Sequence, residues 1–448
     1  ATSSIAITGV GAFGSLPMDI TSASTMTLTK ITYNRGFALG TNLIIDSEFR
    51  PNSGKLSIGA NTLTINGKIF SGTGEITGSA TSDLTISGTP LADVGTLLFD
   101  QTTPGTTDLI RNFTYDRTGL TGTLGSNVAI GTALNITNGT LANGGFVING
   151  TGAALTLSAG GTLSLTGTTG FPTFGTETID RASDVNYAGN TQSVAAKAYG
   201  NLNIIDDGSV ATKTLAAAGG TLAGELSIQT GATFDMATNG FTFLSDATGT
   251  AALLEVTGTL SNATNVTVQR YISGSSGWRV LAAPGTGSTL ADWNSEIAMT
   301  GFTGSNDAAS GFTSTYLFNE SSITTTAEQG YAEPANTGIA LPHNADQAGI
   351  ITYISADPSA TTPMPLTSDV TVSLASSTGT LQVNNMSFGG GTADPFGWHA
   401  IGNPYPCGLR WAEVIANGNT TGLGASGAIY TVDAFNNMTA STTTTLAS

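Results

Sequence analysis

Side chains able to do acid–base, nucleophilic or metal chemistry are few in this chain and far apart. Among 448 residues there are two histidines, His343 and His399, and one cysteine, Cys407. His343 follows Leu341-Pro342 in a loop-like stretch, and His399 stands beside Trp398 just ahead of a Pro-rich turn. A zinc site or a Ser-His-Asp triad needs an imidazole with partners held at set positions, and the sequence identifies no such partners. Both histidines therefore read as structural or surface residues. Cys407, next to Pro406 and with no His nearby in sequence, reads as a buried structural thiol rather than a nucleophile. A sole cysteine leaves no intramolecular disulfide and no zinc cluster.

The carboxylates are the other chemical resource. A β-helix enzyme acting on polysaccharides relies on clustered carboxylates, and glycoside hydrolysis needs a pair at a set separation. The candidates are Asp184, Asp206, Asp207, Glu225 and Asp235, which are scattered, with no aromatic platform recurring beside them. Asp206-Asp207 before Gly208 is the nearest approach to a Ca²⁺ loop. It lacks the Asp-x-Asp-x-Asp-Gly spacing and reads as a plain turn. Phrases such as Gly72-Thr-Gly74 arise by chance in a chain with 59 glycines, and no Gly-x4-Gly-Lys-Ser/Thr phosphate loop is present. The expectation is a protein with no catalytic, cofactor-binding or metal-ligating residues.

Charge narrows the partners. The net charge is −17, and beyond Lys213 the only basic side chains are Arg270, Arg279 and Arg410. Nucleic-acid binding requires clustered Lys and Arg to displace counterions, so that class is disfavoured and no nucleic-acid partner is expected. An acidic, Thr-rich surface suits an exposed extracellular protein. There is no run of 18 apolar residues and hence no membrane-spanning helix is expected. The chain begins Ala-Thr-Ser-Ser without a basic-plus-apolar leader, so a secreted form would be one whose signal peptide is already removed.

The elements that would carry these residues repeat. The phrase at Leu43-Ile-Ile45 returns at Leu134-Asn-Ile136 and Leu226-Ser-Ile228, at intervals of 91 and 92 positions. Inside that period a shorter beat runs through Leu43, Leu63 and Leu84, 20 and 21 apart, and through Leu134 and Leu155, 21 apart. One strand phrase per coil of about twenty residues is the requirement of a stacked β-solenoid. Although only 10% of residues are charged, 39% are apolar and alternate regularly, which argues for folded β structure rather than disorder. Thr on alternate positions suits the solvated face of a strand, with Leu, Ile and Val facing inward. The turns at Asn66-Gly67, Asn138-Gly139, Asn149-Gly150 and Asn239-Gly240 are expected to supply positive φ. Asn-Gly also fits antiparallel hairpins, which keeps a meander open, but the twenty-residue beat favours the solenoid.

Further phrases extend the pattern. Thr32-Tyr-Asn-Arg35 is echoed by Thr114-Tyr-Asp-Arg117, and Leu124 and Leu215 lie 91 positions apart. The fullest unit runs through Val185, Tyr187, Gln192, Val194, Tyr199, Leu202, Lys213, Leu215, Leu222, Leu226 and Gly231. In this order of phrases the chain resembles the repeats of large secreted surface proteins of Bacteroidota-type bacteria, clearly over residues 184–265 and more weakly over 95–183 and 1–94. The resemblance implies an exposed compartment and a β-rich repeat fold more than an activity.

Composition shifts near residue 265. All four Trp (Trp278, Trp293, Trp398, Trp411) follow it, and such side chains are expected to fill a wide globular core, whereas narrow coils favour Leu, Ile and Val. Val268-Gln-Arg-Tyr-Ile272, Gly277-Trp278-Arg279-Val280-Leu281-Ala-Ala-Pro284 and Gly397-Trp398-His-Ala-Ile401-Gly402-Asn-Pro-Tyr405-Pro406 together resemble a module that precedes the sorting domain in type IX secretion cargo. Physically, Pro404 and Pro406 end a strand sharply, and Leu409-Arg-Trp411-Ala-Glu-Val414-Ile415 reads as a short helix. Since a final strand region and a sorting domain usually follow that module, the resemblance implies a fragment or processed form.

The fold expected is all-β: solenoid (parallel β-helix-like) repeats over 1–265, in units 1–94, 95–183 and 184–265, then a β-sandwich-like module over 266–448. The function expected is that of a non-enzymatic extracellular or cell-surface structural protein or adhesin whose stiff stalk presents a face to an unidentified glycan or protein. A self-assembling filament subunit is the second reading, because strand edges can pair with a further copy. A carbohydrate-active β-helix enzyme is the third.

Overall fold

The fold is known from a computed structural model. It describes residues 3–9, 15–16, 25–89, 95–101, 108–209, 211–272, 277–283, 289–294, 297–318, 331–341, 350–354, 366–372, 406, 409–410, 429–432, 438–441 and 445–446. His343, His399, Cys407, Trp398, Trp411 and the Gly402-Asn-Pro-Tyr405 string lie outside the described residues. The described chain is nearly all β, a β-solenoid of about 11 turns built from parallel strands. It divides into two compact units, one of 1–216 with 227–234 and the other of 217–226 with 235–448.

The first unit is organised by register. Leu43, Leu63, Leu84, Phe113, Leu134 and Leu155 stand directly opposite one another on successive parallel strands. Ile45, Ile65, Ile86, Tyr115, Ile136 and Leu157 form a second column two residues further on. Every member of both columns is buried. Four pairing steps carry Leu43 to Leu134, so the long period in the sequence is four coils. The residues between the columns, Thr64, Thr85, Thr114, Asn135 and Thr156, are also in register and lie on the opposite face. A parallel strand pleats with period two, so one column cannot change face without moving all of them. The apolar alternation therefore specifies the stack.

Three long strands serve two neighbours on one side: Leu43–Pro51 pairs with Thr62–Ile65 and Lys68–Ile69, Ile110–Leu124 pairs with Ser79–Ile86 and Thr96–Leu97, and the third divides the stack. Val128–Ala142 pairs along its first part with Ile148–Leu157 and along its second with Gly161–Leu165. One branch continues from Ile148–Leu157 to Thr173–Ile179. The other passes through Leu141, Leu163, Val185 and Leu202 in register, with Leu165, Tyr187 and Ile204 beside them.

Two expectations about residue type need correction. Of the four Asn-Gly steps only Gly139 has a positive φ, at 76°. At Gly67 the requirement is space, since a Cβ would come within 2.1 Å of the Ser47 carbonyl carbon on the preceding coil. The coils also accept large aromatics. Tyr33, Phe49, Phe113, Tyr115, Tyr187, Tyr199, Phe241 and Phe243 are fully buried in coil strands. Tyr33 and Tyr115, matched by the Thr-Tyr-x-Arg echo, solve the polar problem alike: their hydroxyls donate to the carbonyls of Glu75 (3.3 Å) and Leu120 (3.0 Å).

In the second unit Gly220–Leu222, Phe241–Phe243 and Val266–Ile272 stack in parallel, with Phe241 opposite Val266 and Phe243 opposite Val268. Val266–Ile272 also pairs, antiparallel, with Leu366–Val372 on its other side. Parallel and antiparallel structure therefore share this strand. Beyond it Gly277–Leu281, Ile350–Ile354, Thr315–Phe318 and Tyr331–Ala332 form an antiparallel sheet. The described helix is Leu290–Asn294, which buries Leu290 and Trp293. Leu409–Arg410, expected to open a helix, is instead a strand paired with Thr445–Leu446.

Candidate functional site

The first unit holds polar side chains inside its coils. Tyr187 and Tyr199 place their hydroxyls 2.9 Å apart. The Ala195 amide donates to the Tyr187 oxygen (3.1 Å), and the Tyr199 hydroxyl is 2.6 Å from the Ala195 carbonyl. Burial pushes the Tyr187 phenol up to about 12 and Tyr199 well above its ordinary value. Gln192 is buried with its amide oxygen and both N–H donors engaged. Its Oε1 accepts from Gly189 N (2.9 Å), and its Nε2 donates to the carbonyls of Leu165 (3.2 Å) and Thr169 (2.8 Å). The Tyr187-to-Tyr199 part of the fullest repeat unit thus closes on itself as a coil-holding network.

Two cations are also buried. Lys213 donates from Nζ to the Ile205 carbonyl (2.8 Å), and burial pushes its ammonium down in spite of the nearby Asp207 and Asp206. Arg117 donates from Nη2 to the carbonyls of Ile65 (2.8 Å) and Gly67 (2.7 Å), while its Nε and Nη1 have no hydrogen-bond partner. Burial lowers it to about 10. Sequence reasoning named both residues as parts of repeat phrases and missed their burial. Long charged side chains are almost never fully buried, so the expectation runs the other way.

The candidate carboxylates are spent on their own turns and ladders. Asp206 Oδ1 accepts from Gly208 N (3.0 Å), and Asp207 Oδ1 accepts from Ser209 N (3.1 Å) and from the Ser209 hydroxyl. That hydroxyl is the main reason the Asp207 carboxyl lies below its ordinary range. Asp235 Oδ1 accepts from Ala237 N (2.8 Å) and Asn262 Nδ2 (2.8 Å). Asp184 Oδ1 accepts from Asn201 Nδ2 (3.2 Å) and Asn203 Nδ2 (3.0 Å). Glu225 is exposed at the start of Glu225–Ile228. Among the described residues no three His, Cys, Asp or Glu side chains come close enough together to hold a metal ion. No described helix is long and apolar enough to cross a membrane.

The second unit carries an assembly the sequence reading assigned to the core. Trp278 lies opposite Tyr353 in the antiparallel register, and Tyr316 lies opposite Ile351. The Trp278 ring sits 5.4 Å from Tyr353, 5.8 Å from Tyr316 and 5.9 Å from Phe312, and Phe312 is 5.4 Å from Tyr353. The planes are tilted by 46° to 84°. Trp278 is nevertheless 43% exposed, Phe312 47% and Val280 49%. The other face of the sheet is covered: Ile350, Thr315 and Thr352 are fully buried, and the two threonine hydroxyls lie 3.1 Å apart. Trp293 meets the expectation of a buried tryptophan and Trp278 does not, because strand alternation puts it on the uncovered face.

No protein-family model matches the chain, and no curated protein or solved structure matches it either.

Proposed function

We propose that this chain is a non-enzymatic extracellular structural protein of a bacterial cell surface, an adhesin in which stacked coils support a binding face. The observation that carries the reading is the unbroken register from Leu43 to Leu155, with its buried columns. Coils that share hydrogen bonds and a continuous core resist bending, and their length grows with repeat number. The resemblance of residues 184–265 to secreted surface repeats, and of the 266–406 phrases to type IX cargo, supports the compartment, as does the net charge of −17. Labelling intact cells of the source organism with an antibody to the chain, with and without protease treatment, tests it. Signal that appears only after lysis would end the reading.

The filament reading rests on a separate observation. Among the described residues Ser4–Ile7 pairs in parallel with Met26–Tyr33 and stands at the end of its sheet. A strand edge of that kind can template a further chain. Sedimentation of the purified protein over a hundredfold concentration range distinguishes a subunit that polymerises from one that stays single.

A further inference from the structure

We propose that the Trp278 face of the second unit binds neutral saccharide rings. The proposal rests on the adhesin reading and names the ligand class of its binding face. Trp278, Val280 and Tyr353 point to one side of the antiparallel sheet, and Tyr316 and Phe312 complete the cluster through ring contacts with Trp278. The opposite side is buried, so this sheet already has its core and does not need the aromatic face to build one.

Among the described residues the area matches a small ring better than a macromolecule. The exposed parts of Trp278, Val280 and Phe312 together present on the order of 300 Å², the scale of a functional patch on a monomer. A stable protein partner would require about 800 Å² from each side. Charge decides what kind of ring. The residues that build the face, Trp278, Val280, Phe312, Tyr316 and Tyr353, include no Lys, Arg, Asp, Glu or His. Arg279 alternates to the other side of the strand, where its Nη1 donates to the Trp278 carbonyl. With a chain charge of −17, anionic polymers are repelled. Geometry completes the match. Trp278 and Phe312 each meet the Tyr353 ring in a T-shaped contact and remain exposed. The negative face of an indole attracts the weakly positive C–H edge of a pyranose, as it does the edge of another ring. Tyr316 and Tyr353 add phenol hydroxyls that can donate to or accept from sugar hydroxyls.

The test uses the full chain in native gels cast with amylose, laminarin, mixed-linkage β-glucan or xyloglucan, with alginate as the anionic control. The expected result is retardation by at least one neutral polymer and none by alginate. Trp278→Ala should weaken it at least tenfold and Phe312→Ala several-fold, with melting curves unchanged. Should Trp278→Ala fail to fold, Phe312→Ala and the ring-preserving Trp278→Tyr carry the test. The proposal is overturned by no retardation in any neutral polymer, by retardation that both variants keep, or by binding confined to alginate. A Trp278-dependent dimer in sedimentation velocity would also overturn it, assigning the face to a second copy. Cell-surface labelling is independent of all these outcomes, so the ligand can fail while the surface reading stands.

Discussion

The coil at Tyr187–Tyr199 and the sheet at Trp278–Tyr353 use the same kinds of side chain to opposite ends. In the coil, two tyrosine rings in edge contact, 6.5 Å apart, are shut away and their hydroxyls consume each other and one backbone residue. In the sheet, rings in similar edge contact are left half in water. The difference lies in what covers the strand. A parallel coil is closed by its own turns, so an inward polar group finds its partners inside the coil or, like Arg117 Nε and Nη1, finds none. An antiparallel sheet can keep one face wet. An aromatic side chain is thus a structural fitting in the first unit and an accessible surface in the second.

The sharpest way to break the comparison is to put a charge into the coil interior. Leu155→Asp places an unpaired carboxylate in the column beside Leu134 and should cost about 4 kcal/mol or more, abolishing cooperative folding of the first unit. Thr156→Asp, one residue on and facing outward, should stay within about 0.5 kcal/mol. Denaturant melts of both variants check this, and similar losses in the two would mean that the register is wrong.

Gln192→Leu comes next. It strands the Gly189 amide and the Thr169 carbonyl, while the Leu165 carbonyl keeps the Ala188 amide, for a loss of about 2–3 kcal/mol by the same melts. If the loss is under 1 kcal/mol, the coil interior is wetter than its burial implies.

The tyrosine pair gives a pH signature. Tyr187 is held neutral up to about 12 in the fold, against an unfolded phenol near 10. Its contribution to stability is complete below pH 10 and declines as pH rises from 10 towards 12, because only the unfolded chain ionises readily. Absorbance at 295 nm should therefore show a buried phenol fraction that titrates together with unfolding. Tyr187→Phe should cost about 1–2 kcal/mol at pH 7 and flatten that decline. A smooth titration of all tyrosines near pH 10 with the fold intact would remove the distinction between coil and sheet.

Lys213→Met should have the smallest effect, within about 1 kcal/mol in either direction, since replacing a desolvated charge by an apolar chain of similar length is often neutral. A loss above 2 kcal/mol would show that the bond to Ile205 contributes more than its desolvation removes.

The sequence made the columns legible and the branch obscure. Leu134 and Ile136 could be placed opposite Leu155 and Leu157 because apolar alternation and the 21-residue beat both point there, and the register agrees. The step from Leu84 to Phe113 is longer than its neighbours and hides the pairing, so Phe113 went unrecognised as a column member. Leu124 and Leu215, in step by period, pair with Leu97 and Val194, on strands of different sheets. Equal spacing locates a residue along the repeat but does not say which face of the coil it serves. Trp278 was misjudged for a related reason. Hydrophobicity predicts that a side chain gains by being covered, while coverage depends on whether another layer is present. That is a property of distant chain.

Val128–Ala142 has a mechanical consequence. Under tension from one end, a simple stack of coils would pay out one coil at a time, each step breaking one ladder at nearly constant force. On one side this strand pairs with Ile110–Leu124, and on the other it carries two ladders, holding Ile148–Leu157 with one part and Gly161–Leu165 with the other. Peeling that reaches it cannot proceed by a single row of bonds. Both rows must shear together, so the force trace should rise there before it resumes its plateau, and a tear begun in one branch should halt at the shared strand.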